Sequence, residues 1–206
     1  MVLGALGQRW FDVAIVGQDS HAGPTPMETR KDALLAASRL VLDVNRIAIS
    51  HPDYARGTVG FMHVTPNSRN VVPGQVRMTV DLRNATDATL TAMVEELKRC
   101  VAKVAADCRV AIEVKEVVNF PPSEFAPELV RRVREGAQKF GYSHRDIVSG
   151  AAHDAVYMAR IAPAAMVFVP CEGGISHNET ENARPEDIAA GCNVLLHAVL
   201  GRAGVA

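Results

Sequence analysis

Residues 75–83 read QVRMTVDLR. Val76, Met78, Val80 and Leu82 alternate with Arg77, Thr79, Asp81 and Arg83, so one face is apolar and the other wet, as in a half-buried antiparallel strand. Before it lie a loop at 65–74 (TPNSRNVVPG) and a second strand pattern at 57–64 (GTVGFMHV). Further upstream, 9–16 (RWFDVAIV) has strand composition and 17–25 (GQDSHAGPT) is a polar loop rich in turn residues. A helix is expected from Thr25, whose pairing with Glu28 matches a capping box with Pro26 at the first helical position. Leu34, Ala37, Leu40, Val41, Val44, Ile47 and Ala48 then keep helical spacing to about Ile49. Downstream, an amphipathic helix runs from near Asp87 to Ala106, followed by a strand at 110–118 (VAIEVKEVV). The order β-α-β-β-α-β is the ferredoxin-like split arrangement.

After Asn119 and the breaker Pro121-Pro122 the pattern changes. Helices are expected at 127–140, 154–161 and 185–200, with a strand end at 147–152 running into a Gly-bearing turn. The apolar run 164–169 (AAMVFV) reads as a buried strand. Two strands with three helices do not make a covered sheet alone, so this segment needs strands from elsewhere. His177, in GGISHNETE (173–181), follows the apolar run and precedes the last helix. A loop at the carboxyl end of a strand is where open α/β sheets place their ligands, and His177 reads as one metal ligand. A catalytic zinc takes about three protein ligands plus an open position, and HExxH, HxxEH and CxxC are absent from the sequence. The chain is therefore expected to be part of an enzyme.

Composition narrows the classes. The 206 residues are 48% hydrophobic with a net charge of -1, and the mean hydropathy is +0.05, which suits a globular chain of one large or two small domains. Charges of both signs are spread along the length with no basic block, which argues against nucleic acid as a partner. No apolar run approaches the roughly 20 residues of a membrane span, and the first residues (MVLGALGQRWFD) lack the regions of a signal peptide. A cytoplasmic location is expected, with no membrane partner. Cys100, Cys108, Cys171 and Cys192 have no paired spacing and read as reduced, mostly structural thiols; Cys171, near His177, has the alternative of a soft ligand or nucleophile.

Among the seven histidines, His51 and His144 sit in polar loops, His197 lies within a helix, and His63 is a strand residue open to either role. His21, His153 and His177 lie beside glycines in turns, where backbone comes close to a ligand. Glu179 reads as loop decoration, and Glu181 stays open between decoration and a partner that fixes the His177 tautomer. Arg83 has the geometry to fork onto a carboxylate, with a surface salt bridge as the plainer alternative.

Four stretches in register resemble one family: SHAGPTPMETRKDAL (20–34), PNSRNVVPGQV with DLRN (66–84), SGAAHDAVYMARI (149–161) and FVPCEGGISHNETE (168–181). The family is the amidase/hydantoinase/carbamoylase group of the binuclear-zinc aminoacylase and carboxypeptidase superfamily. The resemblance implies an α/β zinc-hydrolase catalytic domain interrupted by a ferredoxin-like lid that also dimerises. It divides the chain into a link from the catalytic domain (1–8), the lid (9–119) and the C-terminal part of the catalytic domain (120–206), the catalytic half lying upstream. It implies two zinc ions per site, for which manganese, cobalt or nickel substitute, with His177 as the last ligand. His21 is implied in catalysis, and Asn70, Arg83 and the turn at Gly150 and Ala151 in substrate binding. The family commonly has glycine where this chain has Ala152, whose Cβ is expected to narrow the pocket or restrict the turn.

The activity implied is hydrolysis of the carbamoyl C–N bond of an N-carbamoyl-L-amino acid, a small ureide, by a homodimer. Allantoate and 3-ureidopropionate are alternative substrates, and a non-catalytic dimerisation and substrate-binding fragment is the alternative of another class. This chain by itself is expected to be inactive.

Overall fold

A computed structural model describes residues 1–204. In chain order the elements are β1 (Val2–Ala5), β2 (Gly7–Val16), β3 (Ser20–His21), α1 (Ala33–Ser50), β4 (Arg56–Thr65), β5 (Val71–Val72), β6 (Gln75–Asn84), α2 (Asp87–Cys108), β7 (Ala111–Phe120), β8 (Ser123–Glu124), α3 (Pro127–Lys139), β9 (Ile147–Ser149), α4 (Asp154–Met158) and α5 (Pro185–Ala203). They form two compact units, residues 6–122 and residues 1–5 with 123–204.

In the first unit β4, β6, β2 and β7 lie side by side in that order, every neighbouring pair antiparallel. In terms of the β-α-β-β-α-β order, the spatial sequence is second, third, first, fourth, which is the ferredoxin-like arrangement. The alternation of β6 is realised in full: Val76, Met78, Val80 and Leu82 are at most 2% exposed. They pack with Phe11, Val13 and Ile15 of β2 against Leu40, Val44 and Ile47 of α1 and Leu90, Met93 and Leu97 of α2. Gly57 marks where β4 presses on α1, because a Cβ there would stand 2.7 Å from the Val44 carbonyl oxygen. Thr86 caps α2 by accepting from Thr89 N, and the helix stops at Arg109, whose φ of 54° is left-handed.

The expected capping box does not form. Met27–Thr29 makes a single 3-10 turn with no side-chain cap, and Arg30 is extended. The helix starts later because Asp32 accepts from both Leu34 N and Leu35 N at 3.0 Å, a better cap than Thr25 supplies. A two-stranded ladder, β3 with β5, joins the loop before α1 to the loop before β6.

In the second unit β8, β1 and β9 form a three-stranded sheet, antiparallel and then parallel. Residues 1–8, expected as a link, are mostly strand: β1 supplies the middle of this sheet, and Gly7 and Gln8 open β2. Residues 164–169 differ from the buried strand expected. Strand β9 occupies one edge of β1 and β8 takes Gly4 and Ala5 on the other, so the run meets β1 only at Val2, in an isolated bridge with Met166, and Phe168 stands 43% exposed. Helix α3 carries Val130 in the small core around Val2 and Phe125, while Val133 and Ala137 meet Val194 of α5.

Leu40 is 1% exposed within the larger core. Leu40→Ala removes its side chain from a close-packed site and is expected to cost about 2–5 kcal/mol of stability in denaturant unfolding.

Candidate active site

His21 and Asn70 are brought together by the short ladder of the first unit. His21 pairs with Val71, and Ala22 N donates to Asn70 O at 2.8 Å. Gly23 N–H donates to His21 Nδ1 at 3.0 Å, so a neutral ring carries its proton on Nε2 and presents a hydrogen-bond donor. Ser68 Oγ donates to Asn70 Oδ1 at 3.0 Å, which leaves the donating Nδ2 as the other end of that amide. Both residues are exposed.

The loop under them is laced by arginines. Arg30 donates through Nε and Nη2 to Thr25 O at 3.1 Å each and through Nη2 to Ala22 O at 2.6 Å. Arg109 donates to the carbonyls of Glu28 and Arg30.

Arg83 lies at the far end of β6. It is eight residue steps from Gln75, about 27 Å along an extended strand, and the Asn70 loop lies beyond Gln75. One small molecule does not span that distance, so within one chain Arg83 is not brought to His21 and Asn70. Its guanidinium meets Asp81: Nε is 3.1 Å from each carboxylate oxygen and Nη2 is 2.6 Å from Oδ2. The salt bridge weighed as an alternative is therefore present.

In the second unit Gly150 and Ala151 follow β9 and are exposed, and a Cβ on Gly150 would meet nothing within 4 Å. Ala152 is not among the residues with positive φ, so its Cβ imposes no left-handed strain on the turn. The turn is held by Ser149, which is 2% exposed. Its Oγ–H donates to Ala151 O at 2.9 Å, and Ala151 N–H donates back at 3.2 Å. With the single hydroxyl proton so used, the 3.0 Å contact to His153 Nε2 is one in which His153 donates. The His153 ring meets Phe168 edge to face at 5.4 Å.

His177 is exposed and has a φ of 55°, the left-handed region in which L-residues other than glycine are strained. Glu181 Oε2 accepts its backbone N–H at 3.0 Å. Glu181 therefore shapes the loop that carries His177, a role invisible in the one-dimensional pattern. The loop closes on itself through Glu172 N to Asn182 O at 2.8 Å and Asn182 Nδ2 to Glu172 Oε2 at 3.2 Å.

The residues present do not fit a metal on their own: among the described residues there is no group of three His, Cys, Asp or Glu side chains able to hold one. The chain has two His-x-Asp triplets, and neither supplies a pair of ligands. His51 Nδ1–H donates to Ile47 O, His144 Nδ1–H donates to Tyr142 O, and Asp146 pairs with Arg134. His197 packs edge-on against Phe140 inside α5. The cysteines are all free, and burial, with Asp43 beside it, pushes the Cys100 thiol up from its ordinary range, which disfavours the reactive thiolate.

Comparison with known proteins shows the family. The family model for peptidase family M20/M25/M40 matches residues 16–201. The chain belongs to this family. Among its relatives, an N-carbamoyl-L-amino-acid amidohydrolase of Rhizobium meliloti is 42% identical over 199 residues, covering 97% of this chain and 48% of the relative. An allantoate amidohydrolase of Bacillus subtilis is 31% identical over 195 residues, covering 95% of this chain and 47% of the relative. The crystal structure of an amidase of the hydantoinase/carbamoylase family from Burkholderia multivorans superimposes with a TM-score of 0.94 at 55% identity, covering 98% of this chain and 49% of that one. The chain thus spans about half the length of the M20 relatives it matches. Among the described residues no helix is long and apolar enough to cross a membrane.

The backbone at His177 yields a measurable expectation. Glycine adopts φ near 55° without a Cβ penalty, so His177→Gly is expected to be about 1–2 kcal/mol more stable than His177→Ala in paired unfolding experiments.

Proposed function

We propose that this chain is part of a metal-dependent amidohydrolase that cleaves the carbamoyl C–N bond of N-carbamoyl-L-amino acids. The observation that carries the reading is the β3–β5 ladder that joins the His21 and Asn70 segments, with His21 Nδ1 accepting from Gly23 N–H, in a chain of the M20 family. The relatives' names support the ureide class. One is named for N-carbamoyl-L-amino acids and another for allantoate, which keeps allantoate as the alternative substrate.

His177 is the residue of this chain that would ligate a metal in the whole enzyme, with the other ligands supplied from outside these residues. A metal bound in the whole enzyme would supply Lewis acidity toward the ureido group and a more acidic water. His21 donates from Nε2 to the oxygen on which negative charge develops, and its fixed tautomer means that no reorganisation is needed at that moment. Arg83 and Asn70 hold the substrate carboxylate and orient the ureide. The turn at Gly150 and Ala151 would border the bound molecule, with space at Gly150 where a Cβ would meet nothing within 4 Å.

The separation of about 27 Å along β6 favours a site shared between two copies, with His21 and Asn70 from one subunit and Arg83 from its partner. A surface suited to pairing exists on the ferredoxin-like unit. Leu35, Leu42 and Ile49 of α1, seven residues apart, are 44%, 72% and 73% exposed. On the edge strand β4 of the same unit, Phe61 is 54% exposed. Exposed apolar side chains on an unpaired edge mark an association surface. In the second unit, Ile188, Leu195, Leu196, Val199 and Leu200 of α5 are 43–57% exposed, a face that the remaining part of the enzyme would cover.

Two measurements test the reading in the full-length enzyme. Arg83→Lys keeps the charge and loses the planar fork, so KM should rise strongly for carboxylate-bearing ureides and little for the matching amides. Equal effects on both would remove Arg83 from the carboxylate. A dimer mixing a His21→Ala subunit with a His177→Ala subunit has one site lacking both residues and one with both intact. Mixing the two inactive homodimers should restore activity, up to roughly a quarter of wild type when half the dimers are mixed. Heterodimers confirmed by mass spectrometry but without activity would place His21 in its own subunit's pocket or outside catalysis.

A further inference from the structure

Asp81 has no part in the function just described, yet its position beside Arg83 is built by the sheet. Because Val76, Met78, Val80 and Leu82 face the helices, Asp81 and Arg83 emerge together on the opposite, open face of β6. On β4, Gly57 faces α1, where a Cβ would stand 2.7 Å from the Val44 carbonyl oxygen. Its neighbours Arg56 and Thr58 therefore emerge on the open face too. The register places Arg56 directly opposite Arg83 and Thr58 opposite Asp81. Arg56 and Arg83 thus leave the same end of the sheet on one side; the Asp81 carboxylate lies against Arg83, and Arg56 Nη1 donates to Ala55 O at 2.8 Å.

The geometry points to Asp81 as a positioning residue that also sets the charge selectivity of the substrate site. It grips Arg83 along one edge, Nε to both oxygens at 3.1 Å and Nη2 to Oδ2 at 2.6 Å, which fixes the plane in which the fork can receive another carboxylate. It also cancels one of the two positive charges. Arg56 and Arg83 together with Asp81 carry a net charge of +1, which matches a ureide bearing one carboxylate. Without Asp81 the same place would carry +2 and favour a ureide with a second acidic group. This rests on the proposed reading that Arg83 receives the substrate carboxylate.

The test uses the full-length enzyme with N-carbamoyl-L-methionine, which has one carboxylate, and N-carbamoyl-L-aspartate, which has two. For Asp81→Asn, KM for the methionine compound should rise about tenfold with kcat changed less than about twofold, because the fork loses its fixed plane. The ratio of kcat/KM for the aspartate compound to that for the methionine compound should rise about tenfold. Asp81→Glu keeps the charge and should hold that ratio near wild type. Arg56→Ala removes the second cation and should lower the ratio severalfold, a result that also serves if Asp81→Asn does not fold. A ratio within twofold of wild type in both Asp81→Asn and Arg56→Ala overturns the proposal. If Arg83→Lys leaves KM unchanged, the carboxylate reading itself has failed. If Arg83→Lys raises KM while the ratio stays put, only the role of Asp81 is lost.

Discussion

Strand β6 is the constraint on which the ferredoxin-like unit depends. It lies between β2 and β4, and every second side chain enters the core formed with both helices. A slip of one residue would send Arg77, Thr79, Asp81 and Arg83 into that core and expose Val76, Met78, Val80 and Leu82. Burying unpaired charges there would cost far more than the apolar burial returns. The register is therefore held by hydrophobic packing, and the same packing decides which polar groups share the open face. The charged end of the sheet follows from the core.

The second unit obeys a weaker version of the same rule. Its sheet has three strands, and the residues around Val2 and Phe125 form a modest core. Helix α5 buries Val194 while several of its other apolar side chains stay exposed. Position in this unit depends more on local polar closure: Ser149 on Ala151 and His153, and Glu181 on His177. Such contacts are short in sequence and hold a loop without a large core beneath it.

This difference explains what was legible in the sequence. The strands and helices of the first unit follow from period-two and period-3.6 patterns, because burial on one face writes itself into residue order. The start of α1 is ambiguous in the sequence because Thr25 and Asp32 both resemble caps, and only the extended course of Arg30 decides between them. Residues 164–169 carry strand composition, but composition does not reveal that β1 already has neighbours on both edges. The roles expected of His21 and Asn70 come from the family resemblance, and the β3–β5 ladder that joins their segments is too short to leave a pattern. The Asp81 grip on Arg83 was written in the alternation itself, since residues two apart on a strand share a face, though a carboxylate there reads equally as ordinary surface polarity.

The arginine lacing of residues 22–30 changes how the His21 loop can respond to heat and to binding. A polar segment without regular structure ordinarily keeps much of its conformational entropy in the folded state and surrenders it when a ligand arrives. Here two guanidinium groups clasp four carbonyl oxygens, from Ala22, Thr25, Glu28 and Arg30. That loss of freedom is settled during folding. The loop should therefore travel with the sheet as one body, so that motion bringing His21 to a substrate would have to be motion of the whole unit.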